Sequence, residues 1–110
     1  MLKGCIIEES LKDTKILNQL KVLETRTSDN DHWHLYMVSV SKEQIEAIAK
    51  SLDIGKWYTH FWDDKGNMTV VFSGGKIFDC NYNDKSTWKE AIAHGLKLGI
   101  PKKQLDFLIY

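Results

Sequence analysis

The chain has little of what marks a specialised class of protein. Two cysteines, Cys5 and Cys80, are too few for the disulfide framework of a small secreted domain. Free thiols in a reducing compartment are the simpler expectation. Arg26 is the single arginine, so bidentate recognition of phosphate or guanine has almost nothing to work with. Fifteen basic and fifteen acidic residues cancel to a formal net charge of zero, which removes the electrostatic basis for tight binding to a nucleic-acid backbone. No apolar run approaches the ~20 residues of a membrane span. The opening residues, MLKGCIIEES, lack a signal-peptide core and bring in Glu8 and Glu9 early. No repeat, linker or low-complexity segment interrupts the chain. These absences predict one cytoplasmic domain over residues 1–110 with no membrane, and they count against a nucleic-acid partner, single-stranded nucleic acid being the weakest of three readings.

What is present is a good supply of core. The 110 residues are 43% hydrophobic and 27% charged, enough to bury a hydrophobic interior and far from a disordered composition. The clearest stretch is Gly55–Asn81. Lys56–Trp62, Met68–Ser73 and Lys76–Asn81 are rich in aromatic and β-branched residues and read as three strands. Asp63–Asn67 is a polar loop, and Gly74-Gly75 fits a two-residue hairpin turn. Alternation along the first strand places Trp57, Thr59 and Phe61 on one face and Tyr58, His60 and Trp62 on the other.

Around this meander the signals continue in order. Lys3–Glu9 reads as a strand, and Asp13 caps a short helix carrying Ile16, Leu17 and Leu20. Lys21–Thr27 alternates as a strand, with a continued helix as the other reading. Ser28–Asp31 is a turn, and His32–Val40 is a strong strand. Ser41 and Gln44 form a capping box for a helix with Ile45, Ile48, Ala49 and Leu52 on one face. Thr87 and Glu90 predict a second box, with Trp88, Ala91, Ile92 and Leu96 inward and Gly99 and Pro101 as the stop. The apolar tail KKQLDFLIY is expected to pack on the domain. The predicted class is therefore α+β: an antiparallel sheet with a ferredoxin-like βαββαβ portion through Trp62, extended by a C-terminal β-hairpin and helix. Helix cover would select Trp33, Leu35, Met37, Trp57 and Phe61 as core. The opposite face would carry His32, His34, Tyr36, Tyr58, His60 and Trp62, which is too apolar to leave bare.

Several residues have the chemistry of a site. His32 and His34, two apart on a strand, offer metal ligands with His60 as a third; a fraying strand end is the plainer reading. Cys80 with His60 would make an activated thiolate, but a buried inert thiol is commoner. Asp63 and Asp64 suit acid–base work or a divalent cation, against the ordinary role of aspartates in a turn. Glu90 and His94 are i, i+4 neighbours on a helix and read as a surface pair. Gly74-Gly75-Lys76 lacks the rest of a phosphate-binding loop, and no nucleophile elbow or zinc-protease helix is present. The aromatics Tyr36, Tyr58 and Trp62 permit base stacking, which the neutral charge disfavours.

The segments EESLKD at 8–13, GKWYTHFWD at 55–63, STWKEAIAHGLKLGIP at 86–101 and QLDF at 104–107 resemble a family of small uncharacterised prokaryotic proteins. That resemblance covers nearly the whole chain. It implies a small single-domain cytoplasmic protein and carries no activity or site residue with it.

The expectation from sequence is a binding or assembly module rather than an enzyme, without a cofactor. Tyr36, Tyr58, His60, Trp62 and Asp63 would form an interface for self-association as a homodimer or for a partner, because interface centres favour aromatics over charge. The alternative is a small enzyme or a ligand- or metal-binding protein with a pocket near His60, Tyr58 and Asp63.

Overall fold

Alternating apolar runs long enough for strands, broken by polar turns, assemble here into one sheet. The computed structural model describes residues 1–28, 32–105 and 107. Most of the turn at 28–31 and the tail residues 106 and 108–110 lie outside them. The strands are β1 (Leu2–Ile7), β2 (Lys21–Thr27), β3 (His34–Val40), β4 (Tyr58–Trp62), β5 (Asn67–Phe72) and β6 (Lys76–Asn81). Their order is β2-β3-β1-β4-β5-β6 and every pairing is antiparallel. Two α-helices accompany the sheet, α1 (Lys42–Ser51) and α2 (Lys89–Lys97). The architecture is a small α+β domain.

Each face of the sheet has its own core. On one face α1 lays Ile45, Ile48, Ala49 and Leu52 over Ile6, Val38, Val40, Phe61 and Val71. The segment Thr14–Gln19 adds Ile16 and Leu17. It is a 3-10 helix rather than α, capped as expected by Asp13, whose side chain accepts from the Lys15 amide. On the other face α2 and the tail cover β4–β6, with Trp88, Ala91, Ile100, Leu105 and Phe107 against Met68, Val70 and Phe72.

α1 starts as its sequence dictates. Ser41 Oγ accepts from Gln44 N at 3.3 Å, and Gln44 Oε1 accepts from Ser41 N at 2.9 Å, so two orphan amides are satisfied reciprocally. α2 starts differently from expectation. Thr87 Oγ1 is drawn back to the Asn81 amide at 2.9 Å instead of capping with Glu90. Asp84 caps a 3-10 turn, Lys85–Trp88, which then runs into α2. The inward face of α2 is also shifted, for Leu96 is exposed and Gly95 is buried against Leu105 and Phe72. The β5–β6 loop is one residue longer than the two-residue turn expected: Phe72 pairs with Lys76, so Ser73, Gly74 and Gly75 make the turn, the two glycines with φ of 91° and 83°.

The face assignment of β3 is the main correction. Tyr36 pairs with Ile6 and Val38 with Gly4, which puts Tyr36, Val38 and Val40 under α1. Leu35 pairs with Ile7 and Met37 with Cys5, so these two face the α2 side, opposite Phe61. Trp57 precedes β4 and is half-buried rather than core. Phe61 is fully buried under α1 as expected.

Candidate functional site

Among the described residues the cover on the α2 side is incomplete. Helix α2 and the tail occupy the β4–β6 half, while β1 and β3 present Cys5, Ile7, Leu35 and Met37, all half-buried. The step between the two halves forms a groove of about 390 Å³. Cys5, Ile7 and Leu35 line it from the sheet, Trp33 and Trp57 from the preceding loops, and Tyr58, Thr59 and His60 from β4. Lys56 and Gln104 complete the lining. This volume lies within the range of small-ligand sites, which are mostly apolar with a few polar groups.

The groove is held in shape from both sides. The Trp33 and Trp57 rings meet edge to face, with centroids 5.4 Å apart and planes at 62°. The Trp57 amide donates to Ser73 Oγ at 3.1 Å, and Ser73 Oγ donates to the Gly55 carbonyl at 2.7 Å. These bonds tie the strand entrance to β5. Tyr58 Oη donates to the Gln104 carbonyl, fastening the tail to β4. Thr59 Oγ1 donates to the Cys5 carbonyl at 2.6 Å, bracing β4 against β1. Phe107 lies 5.7 Å from the Tyr58 ring and 5.9 Å from His60.

The residues expected to share one site are divided by the sheet. Tyr58, His60 and Trp62 do lie on a common face, but His60 and Trp62 are buried, and Phe107 packs against the His60 ring. Tyr36 is on the α1 side, its hydroxyl 3.4 Å from Glu8 Oε1. Asp63 belongs to the β4–β5 turn, where Oδ1 accepts from Lys65 N at 2.8 Å and Asn67 N at 3.1 Å. Those bonds, with the Asn67 side chain donating to Oδ2, hold its carboxyl below the usual range. It lines two other clefts, one with Asp64 and Tyr82 and one with Asp79 and Cys80, which share no lining residue with the groove.

The histidines are dispersed as well. By strand alternation His34 shares the α1-side face with Tyr36, whereas His60 points to the α2 side. His32 sits before β3 with φ of 57°. His34 instead joins Glu8 and Glu9, with Nδ1 2.8 Å from Glu9 Oε2 and 3.5 Å from Glu8 Oε2. One donor atom from each of the three lies within 4.8 Å of the others, a spacing that a cation can bridge. The pair also satisfies itself without one: Glu9 raises the His34 pKa above its ordinary value, and His34 lowers that of Glu9. His94 packs between Phe72 and Phe78 at 5.0 and 5.5 Å, and burial lowers its pKa. Burial also raises the Cys80 thiol, with Asp79 and Glu90 adding to the effect.

Sequence reasoning named Tyr58 and His60, which line the groove, but left out its other walls because Trp33, Leu35 and Trp57 read as core. The density of tryptophan beside Gly55 and before β3 was the available signal. Glu8, Glu9 and His34 carried none, since 25 positions separate the histidine from its nearer partner. No family model, curated protein or solved structure matches the chain.

Proposed function

We propose that the chain is a small-ligand-binding module whose site is the groove between Leu35 and Trp57. The observation that carries this reading is the unequal cover of one sheet face. The β4–β6 half is sealed by α2 and the tail, whereas the β1–β3 half keeps Cys5, Ile7, Leu35 and two tryptophans half-exposed around one concavity. Exposed apolar surface of this kind is costly unless something occupies it. As the scaffold we infer a ferredoxin-like unit over Leu2–Trp62, extended by a C-terminal hairpin and helix. The order β2-β3-β1-β4 supports it, with a 3-10 segment in place of the first crossover helix.

The test is a fragment titration followed by NMR. Ligands of the groove shift the indole N–H signals of Trp33 and Trp57 together, and Leu35→Glu abolishes those shifts while leaving the other tryptophan signals in place. Shifts scattered over the surface, or none in any of a broad set of aromatic fragments, would sink the reading.

A second reading is self-association through β2. All seven residues of this edge strand are exposed, Val22 and Leu23 among them, and an edge invites pairing with another copy. A register shift between Val22 and Glu24 blunts the edge, which counts against it. Solution mass by light scattering decides: a dimer reduced to monomer by Leu23→Lys supports this reading, and a concentration-independent monomer removes it.

A further inference from the structure

The walls of the groove are specific enough to name a ligand class. Two indoles whose planes meet at 62° form a corner, against which a third flat ring stacks on one face and meets the other edge-on. Cys5, Ile7 and Leu35 supply a wholly apolar bed beside that corner. Among the described residues lining the groove Lys56 alone carries a permanent charge, and none of them is a carboxylate.

Lys56 is exposed, and its stem passes Gly99. Gly99 follows α2 with φ of 91°, a backbone that glycine adopts without strain. The bare space left by the missing side chain is where the Lys56 stem runs: a Cβ on Gly99 would stand 3.0 Å from Lys56 Cε. The ammonium makes no ion pair with a described residue. An exposed cation among the groove's lining residues, with no described carboxylate paired to it, is suited to receive one.

We propose that the groove takes a small aromatic carboxylate, its ring in the Trp33–Trp57 corner and its anionic group at the Lys56 ammonium. This assignment rests on the groove being a ligand site.

The experiment compares naphthalene-2-carboxylate with its neutral carboxamide on the full chain at pH 7, reading the four tryptophan indole signals by NMR. The carboxylate shifts Trp33 and Trp57 and binds about fivefold more tightly than the amide, the scale of one exposed ion pair. Lys56→Gln brings the two affinities together, and Lys56→Arg keeps them apart. Equal affinities in the unaltered protein, or a preference that survives Lys56→Gln, overturn the carboxylate assignment and leave the groove as a site for neutral aromatics. No shift of Trp33 and Trp57 with either probe overturns both the assignment and the groove reading.

Discussion

Gly4 stands directly across the β1–β4 ladder from Phe61, and its missing side chain is what lets the two strands meet. A Cβ there would lie 2.5 Å from the His60 carbonyl oxygen and would overlap the Phe61 ring. The β1–β4 register covers only two residue pairs, Lys3 with Trp62 and Gly4 with Phe61, so the junction of the two half-sheets is narrow. Replacing Gly4 by Ala is expected to cost about 1–3 kcal/mol, the usual penalty of overfilling a packed interior. Urea denaturation measures it; an unchanged midpoint would mean that β1 and β4 can part without loss.

Removing the α1 cap tests a smaller contribution. Ser41→Ala leaves the Gln44 amide without its side-chain acceptor and should lower stability by about 1 kcal/mol. Gln44→Ala removes the reciprocal bond, and the double variant should lose less than the sum because both belong to one motif. Denaturation midpoints of the three variants give the answer.

Two histidines should tilt the pH dependence of stability in opposite senses. Glu9 raises the His34 pKa above 6.5, so that contribution is fully present below 6.5 and is lost as pH rises through the folded value. Burial, reinforced by Lys76 and Lys97, lowers the His94 pKa below 6.5. The unfolded chain then takes up a proton that the folded chain refuses, so stability falls as pH drops below 6.5 toward the folded value. In His94→Phe the acid-side loss should shrink, and in His34→Gln the alkaline-side loss should shrink. NMR titration of each ring checks the directions independently.

The thiols offer a chemical probe. Burial beside Asp79 and Glu90 raises the Cys80 pKa, and the thiolate is the reactive form. In Cys5→Ser, the remaining thiol should therefore react with iodoacetamide more slowly than a free model thiol at the same pH. A rate equal to that of the model thiol would contradict the burial of the β6 side chain.

How far the sequence carried the fold depends on where the deciding contact lies. The cap of α1 was legible because Ser41 and Gln44 are three residues apart and nothing distant competes for them. Thr87 failed as a cap because Asn81, across the preceding turn, captured its hydroxyl. The strand HLYMVSV was legible as a strand but not in its orientation. Both of its alternating sets, Leu35 with Met37 and Tyr36 with Val38 and Val40, are apolar enough to be buried. The tie is broken by the register with β1, a contact roughly thirty positions away in sequence. The candidate site shared that fate. Trp33 and Trp57 looked like core because nothing local announces that the described residues of α2 and the tail cover only the β4–β6 half of that face.

Strand order has a consequence for how the chain must come together. β2 pairs with β3, and β4, β5 and β6 pair in succession, so each group can close from neighbours in sequence. β1 is inserted between them and joins the two groups, yet it is synthesised before either. During synthesis it must wait until residue 62 has emerged before both of its edges are satisfied. Until β3 has emerged, at ribosomal rates of about 5–20 residues per second, Ile6 and Ile7 remain an unpaired apolar strand for a few seconds. Glu8 and Glu9, placed immediately behind it, keep that waiting strand charged and hence separate from its copies.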